Sequence, residues 1–279
     1  MSTRGDSEIM KGEEQEIKRM KISNGFDFDY WFKAKTSGPK YIYEDDLIRI
    51  DPYFFIYQCN AKGRWVNKSV HHVFTTEFQD QSTEYYELAI LEGRIRVNGC
   101  QVSSEYKIKS MDRIQHLIHR HEPPVNRFPE IEYIYEDREL LIVNKPSSLP
   151  VHPSGRYSHN TLIEMIKHRK KLTKLHPSNR LDRLTSGIVI IGLNEVIAKK
   201  IESEMKLNKV SKEYFCRVDG KFPEFVECDQ PIKVLNHKLG INTVHPDGKP
   251  SFTRFELVKF NEYIFFIWDF LLLMILCIS

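Results

Sequence analysis

The 279 residues are 41% hydrophobic and 28% charged, ordinary values for a globular chain long enough for one large core or two smaller ones. A net charge of +3 permits nucleic-acid binding without arguing for it, so any such claim rests on local clusters. The five cysteines are scattered, with no Cys-x-x-Cys pair and no histidines at ligand spacing. That gives no support to a zinc site and reads as reduced thiols inside a cell.

Residues 1–22 are polar and charged and are expected to form a disordered tail without a targeting signal. An aromatic-rich N-terminal extension, residues 23–80, contains "FDFDYWFKAK" and "DPYFFIYQCNAKGRWV"; it reads as strands of unassigned role. Within 81–122, "ELAILEG" predicts a helical turn stopped by Gly93, and "RIRVNG" a strand entering an Asn98–Gly99 hairpin turn. "HEPPVNRFPE", residues 121–130, reads as a linker.

Further on, "ELLIVNKP" predicts a strand closed by Pro146, "HPSGRYSHN" a polar loop, and "TLIEMIKHRKK" a helix capped by Asn160 or Thr161. "GIVIIG" predicts a short buried strand, apolar at every position from Ile188 to Ile191. "NEVIAKKIESEMKLNK" predicts an amphipathic helix with Ile197, Ile201 and Met205 on one face. "VSKEYFCRVDGKF" predicts a strand with Tyr214, Cys216 and Val218 opposite Phe215 and Arg217. Strands alternating with helices, without a Gly-rich phosphate loop, predict a mixed α+β sheet and no dinucleotide fold.

One stretch, "HPSNRLDRLTSGIVIIGLN", sets Asp182 between Arg180 and Arg183 at the mouth of the apolar strand. A surface ion pair or helix cap is the default role for such an acid. Its place before a Thr-Ser-Gly turn feeding a buried strand is one from which loops on rigid scaffolds carry chemistry. Lys212 and Tyr214 share a strand face and read equally as an edge lysine above a core tyrosine. His152, Arg156 and His159 read as a polar loop, with phosphate contact as the lesser alternative. "KHRKK", residues 167–171, reads as a solvated helix end suiting the dipole, with a basic groove for RNA as the minority alternative.

"NRLDRLTSG", residues 179–187, resembles the signature of the RluA-type RNA pseudouridine synthases, usually His-Arg-Leu-Asp, two variable residues and Thr-Ser-Gly. "LIVNKPSSLPVHPSGRYSHNTL" is similar to that family's early strand and loop, and "VSKEYFCRVDGKFP" to its Lys-x-Tyr strand. The resemblance spans about residues 130–255, and residues 81–122 resemble an S4 RNA-binding module. It implies an α+β chain: an S4-like α/β module, then a mixed, mainly antiparallel-sheet catalytic domain at 123–260. It implies a monomer acting on RNA (tRNA, rRNA or mRNA) and not DNA, with no metal or organic cofactor. Asp182 would be the nucleophile at ribose C1′, with Tyr214 standing over the base. Arg180 would insert into the RNA, and Arg183, Lys212 and Thr185 would complete the substrate-binding set. Extruding a stacked base costs roughly a few kcal/mol, and a planar cation that stacks and contacts phosphate offsets part of it. Asn179 stands where the family usually has histidine.

The sequence departs from the family after "KPSFTRFELVKF", where no Thr-Gly-Arg-Thr-His-Gln-Ile-Arg run follows. The expectation is a catalytic domain incomplete at its C-terminus, lacking the arginine that pairs with the nucleophile, and a chain of weak or no activity. The competing expectation from another class is an RNA-binding remnant that does no chemistry. Residues 261–279 are apolar with Asp269 inside; they are short for a ~20-residue span and read as a non-family tail, not an anchor. The deaminase signature His-x-Glu with Pro-Cys-x-x-Cys is absent. The expected location is intracellular, in cytoplasm or nucleus and not the mitochondrion.

Overall fold

A computed structural model describes residues 38–78, 80–207, 209–216, 222–236, 240–259 and 273–278. The disordered-tail reading for 1–22 lies outside these residues. The described chain packs as two compact units. The first holds the residues up to Ile134 with Ile142–Leu175 and Arg180–Val189; the second holds Tyr135–Leu141, His176–Asn179 and the chain from Ile190.

Strands β1 (Tyr41–Glu44) and β2 (Leu47–Ile50) form a hairpin and are followed by β3 (Tyr53–Asn60). A short helix α1 (Val70–Val73) and helix α2 (Thr83–Leu91) come next. Ser82 caps α2 by accepting from the Tyr85 amide at 3.2 Å, and Gly93, at φ +69°, ends it. The predicted hairpin then forms from β4 (Ile95–Val97) and β5 (Cys100–Gln101). Its turn residues Asn98 and Gly99 have φ of 53° and 83°, the double left-handed geometry that Asn-Gly supplies cheaply. β6 (Arg113–Arg120) completes a sheet of order β3-β6-β4-β5.

β3, from the stretch read as an extension, pairs with β6 along its length, Tyr53 opposite Arg120 through Asn60 opposite Arg113. One buried cluster draws Trp65, Val70 and Phe74 together with Tyr86, Ile90, Ile95 and Ile114. The stretch 121–130, predicted as a linker, is ordered instead. β7 (Val125–Asn126) pairs with β2, and Glu122, Val125 and Phe128 are all buried. The tandem prolines that suggested a linker only keep the strand short; the Glu122 carboxylate finds enough donors to be buried.

β8 (Glu132–Glu136), β9 (Leu140–Lys145), β10 (His176–Pro177) and β11 (Gly187–Gly192) hydrogen-bond in the order β10-β11-β9-β8. Between β9 and β10, helix α3 (Leu162–Lys170) is capped by Thr161 and buries Leu162, Ile163, Met165 and Ile166. β11 is less buried than its composition predicted: Val189 and Ile191 are fully enclosed, whereas Ile188 is 56% exposed. The strand obeys the two-residue alternation of a sheet. Helix α4 (Glu195–Lys206) is capped by Asn194, and Ala198 is its buried residue while Ile197, Ile201 and Met205 are half-buried.

In the second unit, β12 (Phe225–Cys228), β15 (Thr253–Lys259) and β16 (Leu273–Ile278) form an antiparallel sheet. β13 (Ile232–Asn236) and β14 (Ile241–Val244) form a separate hairpin. Part of the apolar tail therefore pairs as β16, with Ile278 opposite Thr253; residues 261–272 lie outside the described set. The strand predicted through Lys212 and Tyr214 does not form over the described residues 211–216. A strand exists only through a partner's ladder, and no described strand pairs with this one. Over the described part its facing is nevertheless as predicted: Lys212, Tyr214 and Cys216 are half-buried while Phe215 is 64% exposed; Arg217 and Val218 lie outside the described residues. The whole is a mixed α+β chain with mainly antiparallel sheets. No helix among the described residues is long and apolar enough to cross a membrane.

Candidate active site

β9 delivers the first element of the site. Its alternate residues Leu141, Val143 and Lys145 are all 0% exposed, so period two carries a lysine inward behind two aliphatic residues. The Lys145 ammonium donates to the carbonyls of Pro146 at 2.9 Å, Leu149 at 2.7 Å and Arg183 at 3.3 Å. Three donors meet three acceptors, which makes burying this charge tolerable. Burial still pushes the amine down to about 8, with the Asp182 charge opposing that shift and Arg183 adding to it.

Two residues on, Ser147 donates its hydroxyl to the Leu184 carbonyl at 2.6 Å. Lys145 and Ser147 thus hold consecutive carbonyls of the segment that begins at Asp182. The Thr185 amide donates back to the Asp182 carbonyl at 3.1 Å, closing the turn. Gly187, at φ +127°, then lets the chain enter β11. Ser148 is itself held in a left-handed conformation, φ 73°, with its hydroxyl accepting from the Asn126 amide at 2.7 Å.

The opposite wall is the loop 152–160. Ser154 and Tyr157 exchange backbone hydrogen bonds at 3.0 and 3.1 Å, and the Arg120 guanidinium donates to the Gly155 carbonyl at 2.9 Å. Buried Glu122 accepts from three successive amides, Ser158 at 2.8 Å and His159 and Asn160 at 2.9 Å, and from the Tyr53 hydroxyl at 2.7 Å. This hydrogen bond and burial raise the Tyr53 phenol well above its usual range, burial contributing most.

Between the two walls lies a cleft of about 220 Å³ lined by His152, Ser154, Tyr157, Arg180, Asp182 and Arg183 among others. It is smaller than the ~300–1,000 Å³ of drug-sized sites. Asp182, Arg180 and Arg183 are exposed, so their charges are available to a ligand. A larger cavity of about 400 Å³ has aromatic walls, Tyr57, Phe74, Phe78 and Tyr86. It is also lined by the half-buried His116, whose pKa desolvation lowers to about 3, but holds no acid flanked by cations. The Asp182 cleft is the candidate on chemistry, not on size. Among the described residues, no group of three or more His, Cys, Asp or Glu is placed to hold a metal.

Of the residues singled out in the sequence, the structure brings Arg180, Asp182 and Arg183 to one cleft and places Thr185 in the turn behind them. Lys212 and Tyr214 belong to the second unit, half-buried in the segment after α4. Asn179 has a role of its own: its side-chain oxygen accepts from the Ile190 amide at 2.8 Å. The motif reading passed over Lys145, Ser147, Arg120 and Glu122. Lys145 could have been found from the inward phase of Leu141 and Val143; the other three carry no local signal.

Residues 139–267 match the family model described as RNA pseudouridylate synthase. The domain built around Asp182 is an RNA pseudouridylate synthase domain of the RluA type. The chain is 41% identical over 230 residues to Pseudouridylate synthase RPUSD2 of Homo sapiens, covering 82% of this chain and 42% of that protein. It is 38% identical over 215 residues to the mitochondrial tRNA pseudouridine(32) synthase of Saccharomyces cerevisiae, covering 76% of this chain and 46% of that one. The chain spans less than half the length of either relative. The solved structure of Human RNA Pseudouridylate Synthase Domain Containing 1 aligns with TM-score 0.43 at 20% identity, over 53% of this chain and 59% of that one.

Proposed function

We propose that the Asp182 cleft isomerises uridine in RNA to pseudouridine. The observation that carries the proposal is an exposed carboxylate between two exposed arginines, in a small cleft, on a segment pinned by Lys145 and Ser147. A pinned backbone keeps the acid in register with a reacting carbon, which is where positioning contributes to rate.

An Asp182 oxygen bonds to ribose C1′ as the C1′–N1 bond breaks, and uracil leaves with the electron pair on N1. The base turns, C5 bonds to C1′, and the carboxylate leaves. The C5 proton is lost and N1 gains one, so no atom is gained and no external reactant is consumed. Tyr214 serves the C5 proton transfer. Arg180 occupies the space of the extruded nucleotide, and Arg183, Lys212 and Thr185 hold its flanks. Two relatives carry the names tRNA pseudouridine(32) synthase and tRNA pseudouridine(31) synthase, which makes tRNA the first RNA to try.

The test is incubation of the purified chain with uridine-labelled tRNA and rRNA fragments, counting pseudouridine, with Asp182→Ala in parallel. Product that vanishes in the variant supports the proposal. Absence of product from folded chain that still binds RNA would leave an RNA-binding protein instead.

A further inference from the structure

The basic run at the end of α3 is not used by the Asp182 cleft, and β1 gives it a partner. Between them lies a pocket of about 430 Å³ lined by Lys40, Tyr41, Tyr43, Met165, His168 and Arg169. Tyr41 is fixed: its hydroxyl donates to the His159 carbonyl at 3.0 Å, and its ring centroid lies 5.2 Å from that of His168. Met165 is buried beneath. Tyr43, two residues along the same strand, is 47% exposed, leaving an aromatic surface open. His168 and Arg169 are also exposed.

The charge balance favours an anion. Glu164 is taken by Lys167 at 2.8 Å and Asp51 by Lys40 at 3.4 Å. Glu44 follows Tyr43 on the opposite side of the strand. Arg169 and Lys171 enter no ion pair with another described residue. The carbonyl end of a helix by itself repels phosphate; Arg169 in the last turn of α3 and Lys171 at its C-cap reverse that sign. Cations beside an open aromatic ring are the recognition set for single-stranded nucleic acid, phosphate on the cation and base on the ring.

The position is also right. α3 starts at the end of the loop 152–160 that walls the Asp182 cleft, and Arg169 lies eight residues beyond the cap Thr161. At 1.5 Å per residue that is ~12 Å, the length of about three or four stacked nucleotides at 3.4 Å each.

We propose that this pocket binds an unpaired nucleotide of the same RNA whose uridine enters the cleft, its base stacked on Tyr43 and its phosphate on Arg169. The inference rests on the RNA reading of the Asp182 cleft and adds a second subsite to it.

The test is fluorescence anisotropy of a labelled stem–loop RNA, with uridine in its loop, titrated with the full chain at several salt concentrations. Tyr43→Ala and Arg169→Ala should each weaken binding roughly 5- to 10-fold, the share of one stacked base or one phosphate contact. Arg169→Ala should also lower the slope of log affinity against log salt by about one, and Tyr43→Ala should leave it unchanged. Both side chains are exposed, so circular dichroism should match wild type. Wild-type affinity and slope in both variants would overturn the subsite while leaving the cleft's function standing. A wild-type chain that binds no RNA would overturn both.

Discussion

The Lys145 ammonium reaches across 38 residues of sequence to the Arg183 carbonyl, 3.3 Å away, and so ties the end of β9 to the residue after Asp182. The same ammonium holds Pro146 and Leu149 in its own loop. Replacing it with methionine keeps the volume but leaves three carbonyls without their donor. Lys145→Met should lower stability by about 2–4 kcal/mol, read as a shift of the urea midpoint. It should also lower pseudouridine formation more than RNA affinity, because it loosens the segment of the proposed nucleophile and not the surface proposed to meet RNA. Equal losses in both would mean that Lys145 serves only folding.

The same amine sets a pH dependence of opposite sign for stability and turnover. Burial lowers its pKa from the ordinary lysine value of 10.5 to about 8. Between those values the unfolded chain holds a proton that the folded chain has released, so stability rises with pH. Below about 8 both states are protonated and burial of the charge costs its full amount, at most about 3 kcal/mol. Turnover should move the other way. A neutral amine has two hydrogens for three carbonyls, and the Arg183 contact, the longest, is the one expected to lose its donor. The pH–rate profile should fall with a midpoint near 8, and Lys145→Met should lack both that fall and the rise in urea midpoint.

Asp182→Asn should separate chemistry from binding. The amide is isosteric and cannot act as the nucleophile, so product formation should fall at least about 10³-fold, with RNA affinity within about twofold of wild type. Arg180→Ala should instead cost roughly 10- to 100-fold in turnover, the value of a few kcal/mol spent on base extrusion. A target uridine already unpaired by a neighbouring mismatch should recover part of that loss, and its failure to do so would remove Arg180 from the extrusion step.

The sequence showed most clearly what is local. The Asn98–Gly99 hairpin, the stop at Gly93 and a cap at Asn160 or Thr161, which the structure settles as Thr161, all follow from residues within one turn of the feature. The aspartate between two arginines was equally plain, and the cleft gathers all three. What stayed hidden depends on contacts far apart in sequence. Glu122 fell within the stretch read as a linker, and Arg120 carried no signal, because their partners, the amides of 158–160 and Gly155, lie more than thirty residues on. The strand expected at Tyr214 shows the converse: alternation was read correctly, but alternation supplies no partner strand.

Glu122 gives the sharpest test of that long-range design. Its carboxylate satisfies three consecutive amides of the cleft wall and the Tyr53 hydroxyl. In Glu122→Ala all four donors lose their acceptor, in a place that is buried at Asn160 and part-buried at the other three. The expected loss is about 3 kcal/mol or more. Glu122→Gln keeps one oxygen and should lose roughly half as much. Hydrogen exchange should locate the effect: the amides of Ser158, His159 and Asn160 should exchange faster in Glu122→Gln, while those of β4 and β6 remain protected. Because His152, Ser154 and Tyr157 stand on the loosened loop, KM for RNA should rise more than kcat falls. Unchanged exchange at 158–160 would show that Thr161 and the helix behind it hold the wall without the carboxylate.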